Sequence, residues 1–170
     1  MGGLQYIRSI ILPDYTARHW ALYKKAKTAT GLSAKLLRMR IERIQRRYNA
    51  SIPVRETISI FETPHQLNGI FISLGATIGE GCTIFHQVTV GSVTSEGSKR
   101  HGAPTIGCNV YIGAGAKIIG NVKIGDNVRI GANCVVVDDV PDNATVVMPK
   151  PRVILSSESK DNTYRHWKDE

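Results

Sequence analysis

IGCNVYIGAGAKIIGNVKIGDNVRIG, residues 106–131, returns to the same letters every sixth residue. A branched aliphatic stands at Ile106, Ile112, Ile118, Ile124 and Ile130, with Gly following four of the five. Four residues after each comes a small or branched residue: Val110, Ala116, Val122, Val128 and Cys134. Working outward, Val136 and Val140 continue both series, and an earlier block shows the same rule at Ile72, Ile78, Ile84 and Val90, with Ala76, Cys82 and Val88. A 3.6-residue period would scatter these aliphatics around a helix, and strict alternation would bury Gly and Asn inside strands. A repeat of six implies short flat strands joined by tight turns, each bringing one branched side chain to a shared interior. Thirteen of the sixteen glycines lie between Gly69 and Gly131, where such turns are expected to use their permissive backbone. The chain should wind as a parallel three-sided column with Ile stacked on Ile.

The two blocks are out of phase. Val90 and Ile106 are sixteen residues apart, and the interval GSVTSEGSKRHGAPT cannot stack as a rung. Residues 92–105 are therefore expected as a loop thrown out of the column, either a tolerated surface insertion or the place where function sits.

Before the repeat, residues 1–50 carry eleven Lys/Arg against Asp14 and Glu42, so the net charge of +8 belongs to this segment alone. Two helices are expected here, 15–27 and 33–48, with Ser33 as N-cap and Leu37, Ile41, Ile44 and Tyr48 as an apolar stripe. They would cap the open end of the column, or present a basic face for peripheral contact with an anionic membrane or an acidic polymer. No DNA-reading motif or aromatic-rich sheet accompanies the charge, so nucleic acid is not the expected partner. The domain plan is a basic helical segment (1–50), the repeat domain (51–154) and a polar tail (155–170) that frays or packs as one short helix. The start of the chain lacks the order of a secretory signal, and no run approaches a membrane span; a cytoplasmic protein is the expectation. Three cysteines, Cys82, Cys108 and Cys134, show no zinc spacing and read as small half-buried residues.

The hexad pattern resembles the hexapeptide-repeat acyltransferases, over about residues 50–154. The resemblance implies a mainly β fold, a left-handed parallel β-helix with a short N-terminal α-helical segment and one extruded loop. It also implies a homotrimer, acetyl-CoA as co-substrate and no metal. The run Gly113-Ala114-Gly115-Ala116 is similar to the family's stretch whose backbone meets the pantetheine arm, and Lys150 and Arg152 are suited to the phosphates of coenzyme A. In the serine acetyltransferases the extruded loop carries an Arg-His pair the same distance after the Gly that closes the preceding rung. Gly91, Lys99, Arg100 and His101 match, which places His101 in the active site and the other three by the cofactor.

Acetyl transfer from a thioester to a hydroxyl needs a base for the hydroxyl proton, and imidazole suits neutral pH. Thr63-Pro64-His65-Gln66-Leu67-Asn68-Gly69-Ile70 resembles the stretch holding the base in capsular-polysaccharide O-acetyltransferases. Aligned without gaps, the family's position falls on Gln66, so either the chain bulges there or the base has moved; His65 is the leading candidate and His86 the reserve. His19 and His166 read as ordinary surface or packing residues. The short basic segment looks like that of capsule acetyltransferases, so a sugar hydroxyl is the expected acceptor and serine the alternative. A zinc enzyme and a non-catalytic scaffold are the remaining classes; the spacings among His65, His86 and His101 do not resemble the zinc motif of the fold's carbonic anhydrases.

Overall fold

Residues 14–163 are described by the computed structural model. Eleven strands of two or three residues form three parallel sheets. Sheet 1 stacks β1 (Phe71–Ile72), β4 (Thr89–Gly91), β7 (Lys117–Ile119) and β10 (Val135–Val136). Sheet 2 stacks β2 (Thr77–Ile78), β5 (Thr105–Ile106) and β8 (Lys123–Ile124), and sheet 3 stacks β3 (Thr83–Ile84), β6 (Tyr111–Ile112), β9 (Arg129–Ile130) and β11 (Thr145–Val146). The chain visits the sheets in the order 1, 2, 3, so each turn of the coil places one strand on each face. Register puts Ile72, Val90, Ile118 and Val136 above one another, and likewise Ile78, Ile106 and Ile124. All seven are buried, each contributing roughly 1.5–3 kcal/mol of apolar burial. The second series (Ala76, Cys82, Val88, Val110, Ala116, Val122, Val128, Cys134) fills the corners from inside. Cys82 and Cys134 are buried there, whereas Cys108 is exposed rather than half-buried.

The glycines differ from expectation in an instructive way. The Gly that follows each Ile is mostly not in a left-handed conformation; it is there because the next coil lies too close for a side chain. A Cβ on Gly79 would stand 2.6 Å from the carbonyl of Gly107. The left-handed corner positions are taken largely by amides instead: Gln87, Asn109, Asn127, Asn133 and Asn143 all have φ between 55° and 60°, a region Asn tolerates through local hydrogen bonding.

The out-of-phase interval is a hairpin. Val93 and Gly102 exchange both backbone hydrogen bonds at 2.9 Å, and Asn121 N–H donates to the Arg100 carbonyl, tying the hairpin to the coil below.

Two antiparallel helices close the N-terminal end. α1 (Tyr15–Thr28) is capped by Asp14, whose carboxylate accepts from the Thr16 and Ala17 N–H groups. α2 (Gly31–Arg47) starts two residues before the expected boundary. Its N-cap is Thr30, and Ser33 lies in the first turn, where its hydroxyl donates to the Thr30 carbonyl. Tyr23 is fully buried and its hydroxyl donates to the Pro53 carbonyl, while Trp20 meets Phe61 edge to face. His19, expected to be ordinary, is fully buried. Gln45 donates one amide hydrogen to the Ile52 carbonyl and accepts the Ile52 N–H; its other hydrogen points at His19 Nε2, 2.9 Å away. His19 Nε2 is therefore an acceptor, and burial pushes its pKa down to about 4. Residues 155–163 hold no helix; the remainder of the tail, with His166, and residues 1–13 lie outside the described residues.

Candidate active site

The three-sided column has three edges, and the candidate residues of the repeat region sit on two of them. Where sheet 3 passes into sheet 1, the regular turn Phe85–Val88 lies beneath a longer one, Thr63–Gly69. Glu62 pairs with Thr83 and Phe71 with Thr89, so the upper turn spans nine residue steps where the lower spans six. The three extra residues let Leu67 drop into the core while His65 stays outside and Gln66 takes φ 60°. This longer turn carries His65 toward the coil below. There His65 Nδ1 lies 2.7 Å from His86 Nδ1.

That contact constrains both rings. One must donate Nδ1–H and the other must offer its Nδ1 lone pair, so the two cannot both be protonated on Nδ1. Asn68 Nδ2 donates to the His65 carbonyl and steadies the loop. Phe85 packs edge-on to His65 at 5.2 Å between centroids, and Tyr111 follows at 5.0 Å from Phe85. Tyr111 also borders a hollow of about 650 Å³ on the outer face of sheet 3, shared with Thr83, Asn109 and Arg129. Phe85, Tyr111 and Arg129 were not singled out from sequence. A usable signal existed: the outward residue before each inward aliphatic is mostly Thr, Lys or Arg, and Tyr111 breaks that habit.

The same edge continues downward as Gly113–Ala116. Gly115 N–H donates to the His86 carbonyl at 3.0 Å, and Lys117 Nζ donates to the Gln87 carbonyl. Ala114 and Gly115 are half-exposed and bear almost no side chain, leaving a flat strip directly below the histidines. A Cβ on Gly113 would stand 2.7 Å from the Ala132 nitrogen, so here too the next coil leaves no room for a side chain. A slender acyl carrier fits such a surface.

His101, Lys99, Arg100 and Gly91 occupy the next edge, where sheet 1 passes into sheet 2. Within one chain the structure does not bring them to His65 and His86. Arg100, expected at the cofactor, makes two contacts within the chain: Nε donates to the Val137 carbonyl at 3.0 Å and its terminal nitrogen meets the Asp138 carboxylate at 3.3 Å. It fastens the hairpin. Lys99 and His101 stay exposed beside it. Gly91 packs under Ile119, 3.0 Å from where a Cβ would be. Lys150 and Arg152 are exposed in the segment that follows β11, available to an anionic ligand. Among the described residues, no three His, Cys, Asp or Glu side chains gather in a set that could hold a metal ion.

Comparison with known proteins agrees with this architecture. Residues 103–138 match the family model described as bacterial transferase hexapeptide (six repeats). The chain is 48% identical over 89 residues to a serine acetyltransferase of Synechococcus elongatus, covering 52% of this chain and 36% of that protein. It is 37% identical over 100 residues to a serine acetyltransferase of Mycobacterium tuberculosis, covering 59% and 43%. Among solved structures, serine acetyltransferase isoform 3 of Entamoeba histolytica, in complex with cysteine, superposes with a TM-score of 0.67 at 30% identity, over 88% of this chain and 53% of that one. The chain therefore spans less than half the length of these two curated relatives. The shared architecture is the left-handed parallel β-helix.

Proposed function

We propose that this chain, a member of the hexapeptide-repeat transferases in their serine acetyltransferase-like group, moves an acetyl group from acetyl-CoA to a hydroxyl with His65 as general base. The observation that carries this reading is the His65–His86 contact standing directly above the Gly113–Ala116 strip on one edge of the column.

Acetyl-CoA supplies the activated acyl group; the chain supplies position and a proton acceptor. With the shared hydrogen on His65 Nδ1, its Nε2 lone pair is free to take the acceptor's hydroxyl proton as that oxygen attacks. The resulting imidazolium keeps its Nδ1–H on His86, so the charge forms already partnered. The acetyl group passes from sulfur to oxygen, and the proton passes through His65 to the departing sulfur. His86 holds the ring and its tautomer, a task that neutral imidazole performs with a weaker field than a carboxylate. Lys150 and Arg152 would take the phosphates.

Serine comes first as the acceptor, because the relatives described above are serine acetyltransferases. One observation favours a sugar hydroxyl as the second reading: the aromatic row Phe85–Tyr111 beside His65, with Tyr111 44% exposed, offers a sugar ring an apolar platform. The separation of His101 from His65 onto neighbouring edges supports a homotrimer, in which the hairpin edge of one copy faces the histidine edge of the next and each site draws on two subunits.

Thiol release from acetyl-CoA, measured with serine and in parallel with nucleotide-sugars and oligosaccharides, tests the reading. Serine should sustain kcat/KM of about 10⁴ M⁻¹s⁻¹ or more, ordinary for an enzyme on its own substrate. Release with a sugar alone would move the second reading to first place, and release with no hydroxyl acceptor would overturn both.

A further inference from the structure

We propose that the outer face of the helical cap docks on a membrane surface rich in anionic phospholipid. The two helices carry ten Lys/Arg and a single acid, Glu42. The ion pair between Arg100 and Asp138 lies far from them in sequence and on the column. Charge alone would describe any solvated face, so the decisive feature is what lies among the charges.

α2 buries Ala34, Ile41, Ile44 and Gln45 against α1 and the column. At about 100° per residue, the direction opposite that buried side is occupied by Leu32, Leu36 and Met39, which are 72%, 49% and 57% exposed. Arg43 continues their row. Lys35 and Arg46 flank it on one side, Arg40 and Arg47 on the other. A helix that needs only water on its outer side has no use for three large apolar residues at the centre of that side. Apolar residues bordered by long cationic side chains suit the boundary between headgroups and acyl chains, where the cations reach outward to phosphate.

A cleft between the helices supplies the second part. Tyr15 and Leu22 form part of its floor, and Arg18, Arg40, Arg43 and Arg47 surround it, enclosing about 340 Å³. The Arg47 guanidinium already stands 4.5 Å from the Tyr15 ring centroid. Guanidinium groups bind phosphate bidentately, and a cluster of four around an apolar floor matches a lipid headgroup with its glycerol below.

A second copy of the chain is a poor occupant, since pairing this face with itself would set like charges together. A soluble polyanion would use the arginines but leave Leu32, Leu36 and Met39 without a role. No helix among the described residues is long and apolar enough to cross a bilayer, so the contact is one of docking on the surface.

The test is sedimentation of the full chain with phosphatidylcholine vesicles, with or without phosphatidylglycerol at about one third of the lipid, near 0.1 M salt, where exposed charges still act across a headgroup layer. The expected result is binding to the anionic vesicles at least about tenfold stronger than to neutral ones. Arg43→Gln/Arg47→Gln and the harsher Arg43→Glu/Arg47→Glu should each lose most of it, and Leu36→Ser/Met39→Ser should weaken it severalfold, all with wild-type thermal melting. Failure to bind anionic vesicles, or equal binding to both kinds, overturns the proposal. So does wild-type vesicle binding by Leu36→Ser/Met39→Ser together with full displacement by polyphosphate, which would identify a soluble polyanion site. Self-association that Leu36→Ser abolishes would likewise overturn it in favour of a second copy.

Discussion

Two edges of the column obey the same winding rule and put it to different uses. Where sheet 2 passes into sheet 3, the left-handed corner positions are Gly81, Asn109, Asn127 and Asn143. Their amides hydrogen-bond from coil to coil, Asn109 to Asn127 at 2.8 Å and Asn127 to Asn143 at 3.1 Å. Asp126 and Asp142 accept backbone N–H groups from the coil above. This edge spends its polar groups on itself. Where sheet 3 passes into sheet 1, Gly115 stands between Gln87 and Asn133 and interrupts any such ladder, and Phe85, His65 and His86 line the same edge. The contrast teaches that a corner becomes available for chemistry when its coil-to-coil contact leaves a ring nitrogen unspent, as His65–His86 does and the amide ladder does not.

The sharpest break of this comparison is His65→Ala. Removing a general base should lower kcat by about 10²–10⁴-fold and leave the melting temperature near wild type, because the side chain is exposed. A variant that melts early but turns over normally would reassign His65 to structure.

Next in size is a pH effect from the cap, a control lying on neither edge. The His19 pKa is about 4 in the folded chain and near 6.5 when unfolded. The unfolded chain therefore binds more protons between these values, and stability should fall as pH drops from about 6.5 to 4, then level off, a loss on the order of 3 kcal/mol. Urea titrations at pH 7 and pH 4.5 read this directly, and His19→Phe should flatten the difference. An unchanged dependence in that variant would place the titrating group elsewhere.

On the ladder edge, Asn127→Ala removes two side-chain hydrogen bonds and forces Ala into φ 58°. The expected cost is about 1–3 kcal/mol in denaturant unfolding, with kcat unchanged. A loss of activity without a loss of stability would erase the division between the edges. The smallest effect is expected from Ala114→Leu on the bare strip: KM for acetyl-CoA should rise about tenfold, roughly 1.4 kcal/mol, with kcat and melting little altered. An unchanged KM would show that the cofactor does not lie there.

The column was legible in sequence because its rule is repeated. Ile106 through Val136 need only a count of six, and every aliphatic marked by that count there is buried, whereas the buried Ile52, Ile58, Phe61, Leu67 and Ile70 of the first coil fall outside it. The glycines were legible as a pattern but not as a cause, since the approach of Gly79 to Gly107 depends on how close successive coils run, which no local signal reports. The one-coil offset of His86 from His65 places the two near each other; their direct contact depends on a three-residue excess in one turn, visible only once Glu62 is paired with Thr83. The fastening of the hairpin by Arg100 was not legible for the same reason: its partners, Val137 and Asp138, are 37 and 38 residues away. That His19 is a packing rather than a surface residue was not legible because its partner Gln45 lies on the other helix.

A crystal structure of the chain with coenzyme A bound tests the central claim most directly. The account predicts the thiol within about 4 Å of His65 Nε2, a near-attack distance, with the pantetheine arm crossing Ala114 and Gly115. Coenzyme A seated along the Asn109–Asn143 edge, or absent at saturating concentration, would contradict it.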